Sequence, residues 1–152
     1  MKKSDHRAAI LWGSLSVFML LFIFGQSLLP PKESGEMSGF VMMLLSPLMN
    51  LFDGVDPEAF HHFIRKAAHF SEYALFSLFF TRFCGKIRWN RVILPLFVCL
   101  LVAVSDEFLQ SFTGRGSSVR DVVLDFSGAL FSFVILWLLS HISFKKENKN
   151  EA

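Results

Sequence analysis

Residues 65–72 contain ionisable side chains whose types and spacing could support acid-base or binding chemistry. Arg65, His69 and Glu72 follow one another at intervals of four and three residues, so a helix would place them on one face. Lys66 adds a second positive charge beside them. A carboxylate near an imidazole can transfer protons, and a guanidinium can hold a phosphate through two parallel hydrogen bonds.

Two further pairs of polar residues repeat this spacing later in the chain. Asp106 lies four residues before Gln110, and Glu107 is its neighbour. Asp121 and Asp125 are likewise four residues apart. A charged side chain at mid-membrane costs about 2.5 to 3.5 kcal/mol on insertion scales, so such groups normally face the interior of a bundle and pair there. The sequence therefore predicts a buried polar network, nearly balanced in charge.

The connector before the last of these pairs combines glycines, hydroxyl groups and one guanidinium. Ser118 lies three residues before Asp121, which is the spacing of a helix N-terminal cap. The free N–H groups at a helix start favour anions, and Arg115 could hold phosphate or carboxylate beside them. An anionic headgroup is therefore a candidate ligand.

The elements that position these residues are predicted to be membrane helices. Hydrophobic residues make up 53% of the chain, 19 residues are Phe, and the mean hydropathy is +0.47, which is too apolar for an ordinary soluble domain. Apolar runs of spanning length cover about 8–29, 60–83, 92–112 and 122–142. We predict an all-α, polytopic bundle of four transmembrane helices in a single domain, 1–152, with a polar cytoplasmic tail, 143–152. A net charge of +2 with short basic clusters argues against nucleic-acid binding.

The long connector after the first run contains an apolar segment, 37–52. Gly39, Pro47 and Asn50 interrupt this segment, and it is short for a membrane span. We predict an interfacial or re-entrant helix in the first outer loop, with a fifth spanning helix as the alternative.

Basic residues favour one orientation in the membrane. With the amino terminus inside, ten basic residues lie on the cytoplasmic side and five on the other. The inner set is Lys2, Lys3, Arg7, Arg82, Lys86, Arg88, Arg91, Lys145, Lys146 and Lys149, and the outer set is Lys32, Arg65, Lys66, Arg115 and Arg120. Because Lys and Arg are retained on the cytoplasmic side, we expect a multi-pass protein of the cell membrane with both termini in the cytoplasm. The polar network then lies near the outer leaflet.

The ordered polar motifs resemble those of VanZ-like membrane proteins over roughly residues 25–139. The matching stretches are Arg65-Lys66-Ala67-Ala68-His69-Phe70-Ser71-Glu72-Tyr73, Ser105-Asp106-Glu107-Phe108-Leu109-Gln110-Ser111-Phe112, Gly114-Arg115 and Arg120-Asp121-Val122. The resemblance implies a cell-envelope role, since the family is named for a protein associated with resistance to the glycopeptide teicoplanin. It also implies a site formed by the polar positions of the family, which here are Arg65, Lys66, His69, Glu72, Asp106, Glu107, Gln110, Arg115, Asp121 and Asp125.

Three functions remain open from the sequence. The first is binding of an anionic membrane lipid or lipid-linked cell-wall intermediate near the outer leaflet. The second is an enzyme acting on a phosphate-bearing lipid, with Glu72, Asp106 or Asp121 as general acid or base. The third is a non-catalytic membrane partner whose ion pairs only fix the fold. We expect no cofactor, and no metal because the Arg and Lys residues nearby would oppose a cation at His69.

Overall fold

The computed structural model describes residues 3–29, 43, 56–114 and 116–150, and these residues form helices and connectors without a strand. The helices are α1, Lys3–Ser27; α2, Pro57–Lys86; α3, Ile93–Phe112; and α4, Val119–Asn150. The all-α prediction is confirmed for this part of the chain. The predicted interfacial or re-entrant segment, 37–52, lies outside the described residues apart from Met43, and so does Arg115.

Three of the helices are long and apolar enough to cross a membrane. They are Ser4–Ser27 within α1, Ile93–Phe112, and Val119–Ser140 within α4. Their outer faces expose large apolar side chains, such as Leu21 and Phe112, which are 67% and 72% exposed. Asp106 and Asp125, in contrast, are 0% and 1% exposed. This distribution is the reverse of that in a soluble protein and fits a bundle whose solvent is hydrocarbon, so the chain is a membrane protein.

Helix α2 is less apolar because its first half alone carries six ionisable residues, Glu58, His61, His62, Arg65, Lys66 and His69. It begins at Pro57, where the Asp56 side chain accepts a hydrogen bond from the Glu58 N–H. Its second half packs against α1, with the Trp12 and Phe79 ring centres 5.9 Å apart. Of the four spans predicted from the sequence, three correspond to helices of spanning hydropathy, and the other corresponds to α2, a more polar helix of 30 residues.

Contacts at the helix ends give the directions of the helices. Lys86 near the end of α2 pairs with Asp5 near the start of α1, at 3.0 Å, so α1 and α2 are antiparallel. The Ser77 hydroxyl of α2 donates to the Ala129 carbonyl of α4 at 3.1 Å, and Lys66 lies 3.4 Å from the Asp121 carboxylate. Because the numbering rises together in both helices, α2 and α4 are parallel.

The contact between α2 and α4 is closest at Gly128. A Cβ added at Gly128 would overlap the backbone carbonyl of Phe70, so only glycine allows the two helices to approach this closely. Beside this crossing lies the apolar core, formed by Met19, Ile23, Tyr73, Phe76, Cys99, Val102, Ala103 and Ala129. The same approach brings the polar faces of α2 and α4 together.

Candidate functional site

The polar end of the bundle is defined here as the end where α1 and α3 finish and α2 and α4 begin. Asp106 of α3 is at its centre and is fully buried. One carboxylate oxygen, Oδ1, accepts a hydrogen bond from the Ser27 hydroxyl of α1. The other, Oδ2, accepts from the Gln110 amide at 3.0 Å, as their spacing on one helix face predicts. Asp106 therefore joins α3 to the last turn of α1.

Two residues of α1 belong to this cluster although the sequence did not single them out. Ser27 holds Asp106, and the Gln26 amide donates to the Glu72 carboxylate of α2 at 3.0 Å. Both are polar residues at the end of an apolar span, and this position could have indicated that they belong to the cluster. Because α1 contributes these two hydrogen bonds, the polar network involves all four described helices.

His69 and Asp125 meet across the contact between α2 and α4. Nδ1 of His69 lies 4.0 Å from Oδ1 of Asp125, whose side chain is 2% exposed. Neither carboxylate oxygen of Asp125 has a hydrogen-bond partner among the described residues. His69, Asp125 and Asp106 each offer one ligand atom, and these atoms lie within 4.8 Å of one another. We call these three residues the triad.

Tyr73 lies one turn along α2 from His69 and is fully buried. Its hydroxyl has no hydrogen-bond partner within the described part of the chain. Tyr73 shares the apolar core with Val102 and Ala129, which lie one helix turn from Asp106 and Asp125, so it lies close to the carboxylates. A buried hydroxyl without a hydrogen bond is costly, which marks this position as one where a further group could bind.

The carboxylate of Glu107 lies at the start of α4, where the sequence predicted that an anion could bind. Its Oε2 accepts a hydrogen bond of 2.7 Å from the Ser118 N–H, directly before α4. The Ser118 hydroxyl in turn accepts from the Arg120 N–H at 3.2 Å, as predicted for a capping residue. Two N–H groups at the start of α4 are therefore hydrogen-bonded within the protein, one to a carboxylate and one to a hydroxyl.

The basic residues of the polar end lie at its rim. Lys66 pairs with Asp121, and their side chains are 38% and 35% exposed. Arg65 and Arg120, each next in sequence to one member of this pair, are exposed. Within the described residues, the cations of this end lie at the rim with Asp121, whereas the carboxylates of Asp106, Glu107 and Asp125 are buried.

The structure brings most of the predicted site residues to the polar end. Asp106, Glu107, Gln110 and Asp125 are buried, His69 and Glu72 are partly buried beside them, and the rim contains Arg65, Lys66 and Asp121. Arg115 belongs to the undescribed part of the connector.

The sequence model of the VanZ/LLP1 family matches residues 12–140. The chain belongs to the VanZ/LLP1 family. The resemblance is thereby confirmed, and the match contains every residue of the triad. For this VanZ/LLP1 protein, neither the curated proteins nor the solved structures gave a match.

The opposite end of this VanZ/LLP1 protein is basic. A cleft of about 910 Å³ there is lined by four cations, Arg82, Lys86, Arg88 and Arg91. Lys86 pairs with Asp5, and the Arg82 guanidinium lies 6.0 Å from the centre of the Trp12 ring. We call this the basic end. The bundle therefore has an acidic interior at one end and a basic cleft at the other.

Proposed function

We propose that this VanZ/LLP1 protein crosses the cell membrane four times, with both termini in the cytoplasm. Helices α1 and α3 both finish at the polar end, because Ser27 binds Asp106 there. The chain must return to the basic end between them, and α2 makes that return. Cations are retained on the cytoplasmic side, so the four cations of the basic end support a cytoplasmic position for it. The polar end then faces outward.

The proposed activity is binding of an anionic lipid, or of a lipid-linked cell-wall intermediate, at the polar end. The observation that carries this proposal is the rim, where exposed Arg65 and Arg120 flank the Lys66–Asp121 pair above the buried polar cluster. Guanidinium groups bind phosphate through parallel hydrogen bonds. The outer faces of α1, α3 and α4 are apolar, so an amphiphile with a phosphate headgroup matches both surfaces.

Lipid binding is tested with purified protein in nanodiscs of zwitterionic lipid, to which a polyprenyl phosphate is added. We expect the Arg65→Gln and Arg120→Gln double variant to bind the polyprenyl phosphate at least tenfold more weakly, since losing about 1.5 to 3 kcal/mol of charge-assisted bonding has that effect.

Arg88→Gln is the matched control, because Arg88 is an exposed cation at the basic end. We expect this variant to bind like the wild type. Unchanged binding by the double variant, or an equal loss with Arg88→Gln, would place the headgroup elsewhere and contradict the proposal.

A second candidate function is catalysis on the same phosphate-bearing lipid. The observation that favours it is Asp125, whose buried carboxylate lies beside His69 without a hydrogen-bond partner in the described chain. The predicted acids or bases Glu72, Asp106 and Asp121 each already accept a hydrogen bond or pair with a cation. Asp125 with His69 is therefore the better acid-base pair.

Catalysis is tested by measuring phosphate released from a polyprenyl diphosphate. We expect Asp125→Asn to abolish release while the polyprenyl phosphate still binds to the rim. If the wild-type protein releases no phosphate, the catalytic proposal is wrong, and the binding proposal stands or falls on its own assay.

The cellular role proposed from the family resemblance is protection of the cell envelope. Expression of the wild-type protein in a susceptible bacterial host should raise the teicoplanin concentration needed to stop growth, and the Arg65→Gln and Arg120→Gln double variant should not. A network that only fixes the fold predicts a different result, in which loss of protection follows loss of thermal stability. Measuring melting temperature in detergent for the same variants separates the two.

A further inference from the structure

The triad has the composition and dimensions of a metal site. One imidazole and two carboxylates converge from α2, α3 and α4, and their ligand atoms lie within 4.8 Å of one another. Ligands at about 2.1 Å from a tetrahedral ion stand about 3.4 Å apart, so small rotations of these side chains would close the site.

The positive charges expected to exclude a cation are not part of the triad. Lys66 pairs with Asp121 at the rim, and Arg65 and Arg120 are exposed. Asp106 and Asp125 are both buried, and two neighbouring carboxylates repel each other strongly in a medium of low dielectric. A bound cation would remove this repulsion.

A second observation is independent of the acidic residues. Tyr73 is fully buried one helix turn from His69, in the core beside Val102 and Ala129, and its hydroxyl has no hydrogen-bond partner among the described residues. A water molecule on a bound metal would satisfy this hydroxyl, and it would also complete the coordination of an ion with three protein ligands.

We propose that His69, Asp106 and Asp125 bind one divalent transition-metal ion, zinc or manganese. Imidazole favours transition metals over magnesium and calcium, and carboxylates complete a mixed nitrogen and oxygen site. The hydrogen bonds from Ser27 and Gln110 hold Asp106 in position, as the partners of metal-binding carboxylates usually do. The site does not depend on lipid binding at the rim, and with a metal bound, His69 and Asp125 would act as ligands and not as an acid-base pair.

The test uses the full chain, purified without a polyhistidine tag, dialysed against chelator and then loaded with zinc or manganese. We expect about one equivalent of bound metal by elemental analysis, and a rise in melting temperature that chelator reverses. Cobalt in place of the metal should give the visible absorption of a site with few ligands.

Two variants and a control assign the metal to the triad. Asp125→Asn should lose the bound metal, whereas Ser27→Ala should retain the fold and weaken metal binding about 10-fold to 100-fold. Asp5→Asn removes the same charge at the opposite end of the bundle, where Asp5 pairs with Lys86, and should bind metal like the wild type. The proposal is overturned if the wild type retains no metal and gives no cobalt spectrum. It is equally overturned if the wild type and Asp125→Asn retain the same amount of metal.

Discussion

Replacing Gly128 by alanine adds one methyl group at the tightest contact between α2 and α4. This methyl would overlap the carbonyl oxygen of Phe70, which is a backbone atom and cannot rotate away. Adding a methylene to a packed core costs about 1 to 3 kcal/mol, and a backbone neighbour places this substitution at the upper end. Alanine is favoured over glycine within a helix by about 1 kcal/mol. We therefore expect Gly128→Ala to lower the free energy of unfolding by about 2 kcal/mol.

Gly25→Ala is the matched control, because it makes the same change in α1 where a Cβ would meet nothing within 4 Å. Helix propensity alone predicts stabilisation of up to about 1 kcal/mol for this variant. The difference between the two variants, about 3 kcal/mol, isolates the contact with Phe70. Unfolding in mixed micelles with increasing sodium dodecyl sulfate, followed by circular dichroism, measures both free energies.

The same substitution should affect the polar end. Asp125 and Gly128 lie on adjacent turns of α4, and His69 precedes Phe70 in α2. If the helices separate, His69 and Asp125 move apart as well, and metal retention should fall together with stability. Equal stability of Gly128→Ala and Gly25→Ala would show that α2 and α4 do not approach closely, and the reasoning about the triad would fail with it.

Three further predictions concern orientation and the rim. Cysteine introduced at Ala59 should react with an impermeant thiol reagent in intact cells, and cysteine introduced at Ser4 should not. Native Cys84 is fully buried and should react little in either variant. The opposite labelling pattern would invert the proposed topology. Lys66→Gln should change the free energy of unfolding by less than about 1 kcal/mol, because the pair with Asp121 is partly exposed, and a larger loss would show that the pair is structural. Arg115→Lys should weaken binding of a polyprenyl phosphate nearly as much as Arg115→Gln, since lysine lacks the planar two-point geometry, whereas rescue by lysine would indicate simple charge pairing.

Spacing along the sequence was sufficient to predict which polar side chains share a helix face. Asp106 and Gln110 are hydrogen-bonded as their separation of four residues predicts. Antiparallel packing of neighbouring helices then placed the polar faces at one end, and Lys66 does meet Asp121 there. Both inferences depend only on helical geometry and short connectors, which a single sequence contains.

Contacts that depend on the axial position of one helix against another could not be predicted in this way. Ser27 reaches Asp106 across 79 residues of sequence, and no local pattern fixes that alignment. The hydrogen bond from the Ser118 N–H to Glu107 likewise depends on how two helices are aligned, and no local pattern predicts it. The rim position of the basic groups does not follow from charge balance, because long Lys and Arg side chains can extend outward while the shorter carboxylates stay inside.

The polarity of α2 has a consequence for how the protein enters the membrane. A helix that carries two carboxylates and several basic residues partitions poorly from the translocon into lipid alone, whereas α1 is apolar along most of its length. Gln26 of α1 offers the first partner for Glu72, and it is synthesised before α2 emerges from the ribosome. The triad can form only after α3 and α4 have followed. We therefore expect insertion to be cooperative, with α1 holding α2 through the Gln26–Glu72 hydrogen bond until α3 and α4 complete the bundle.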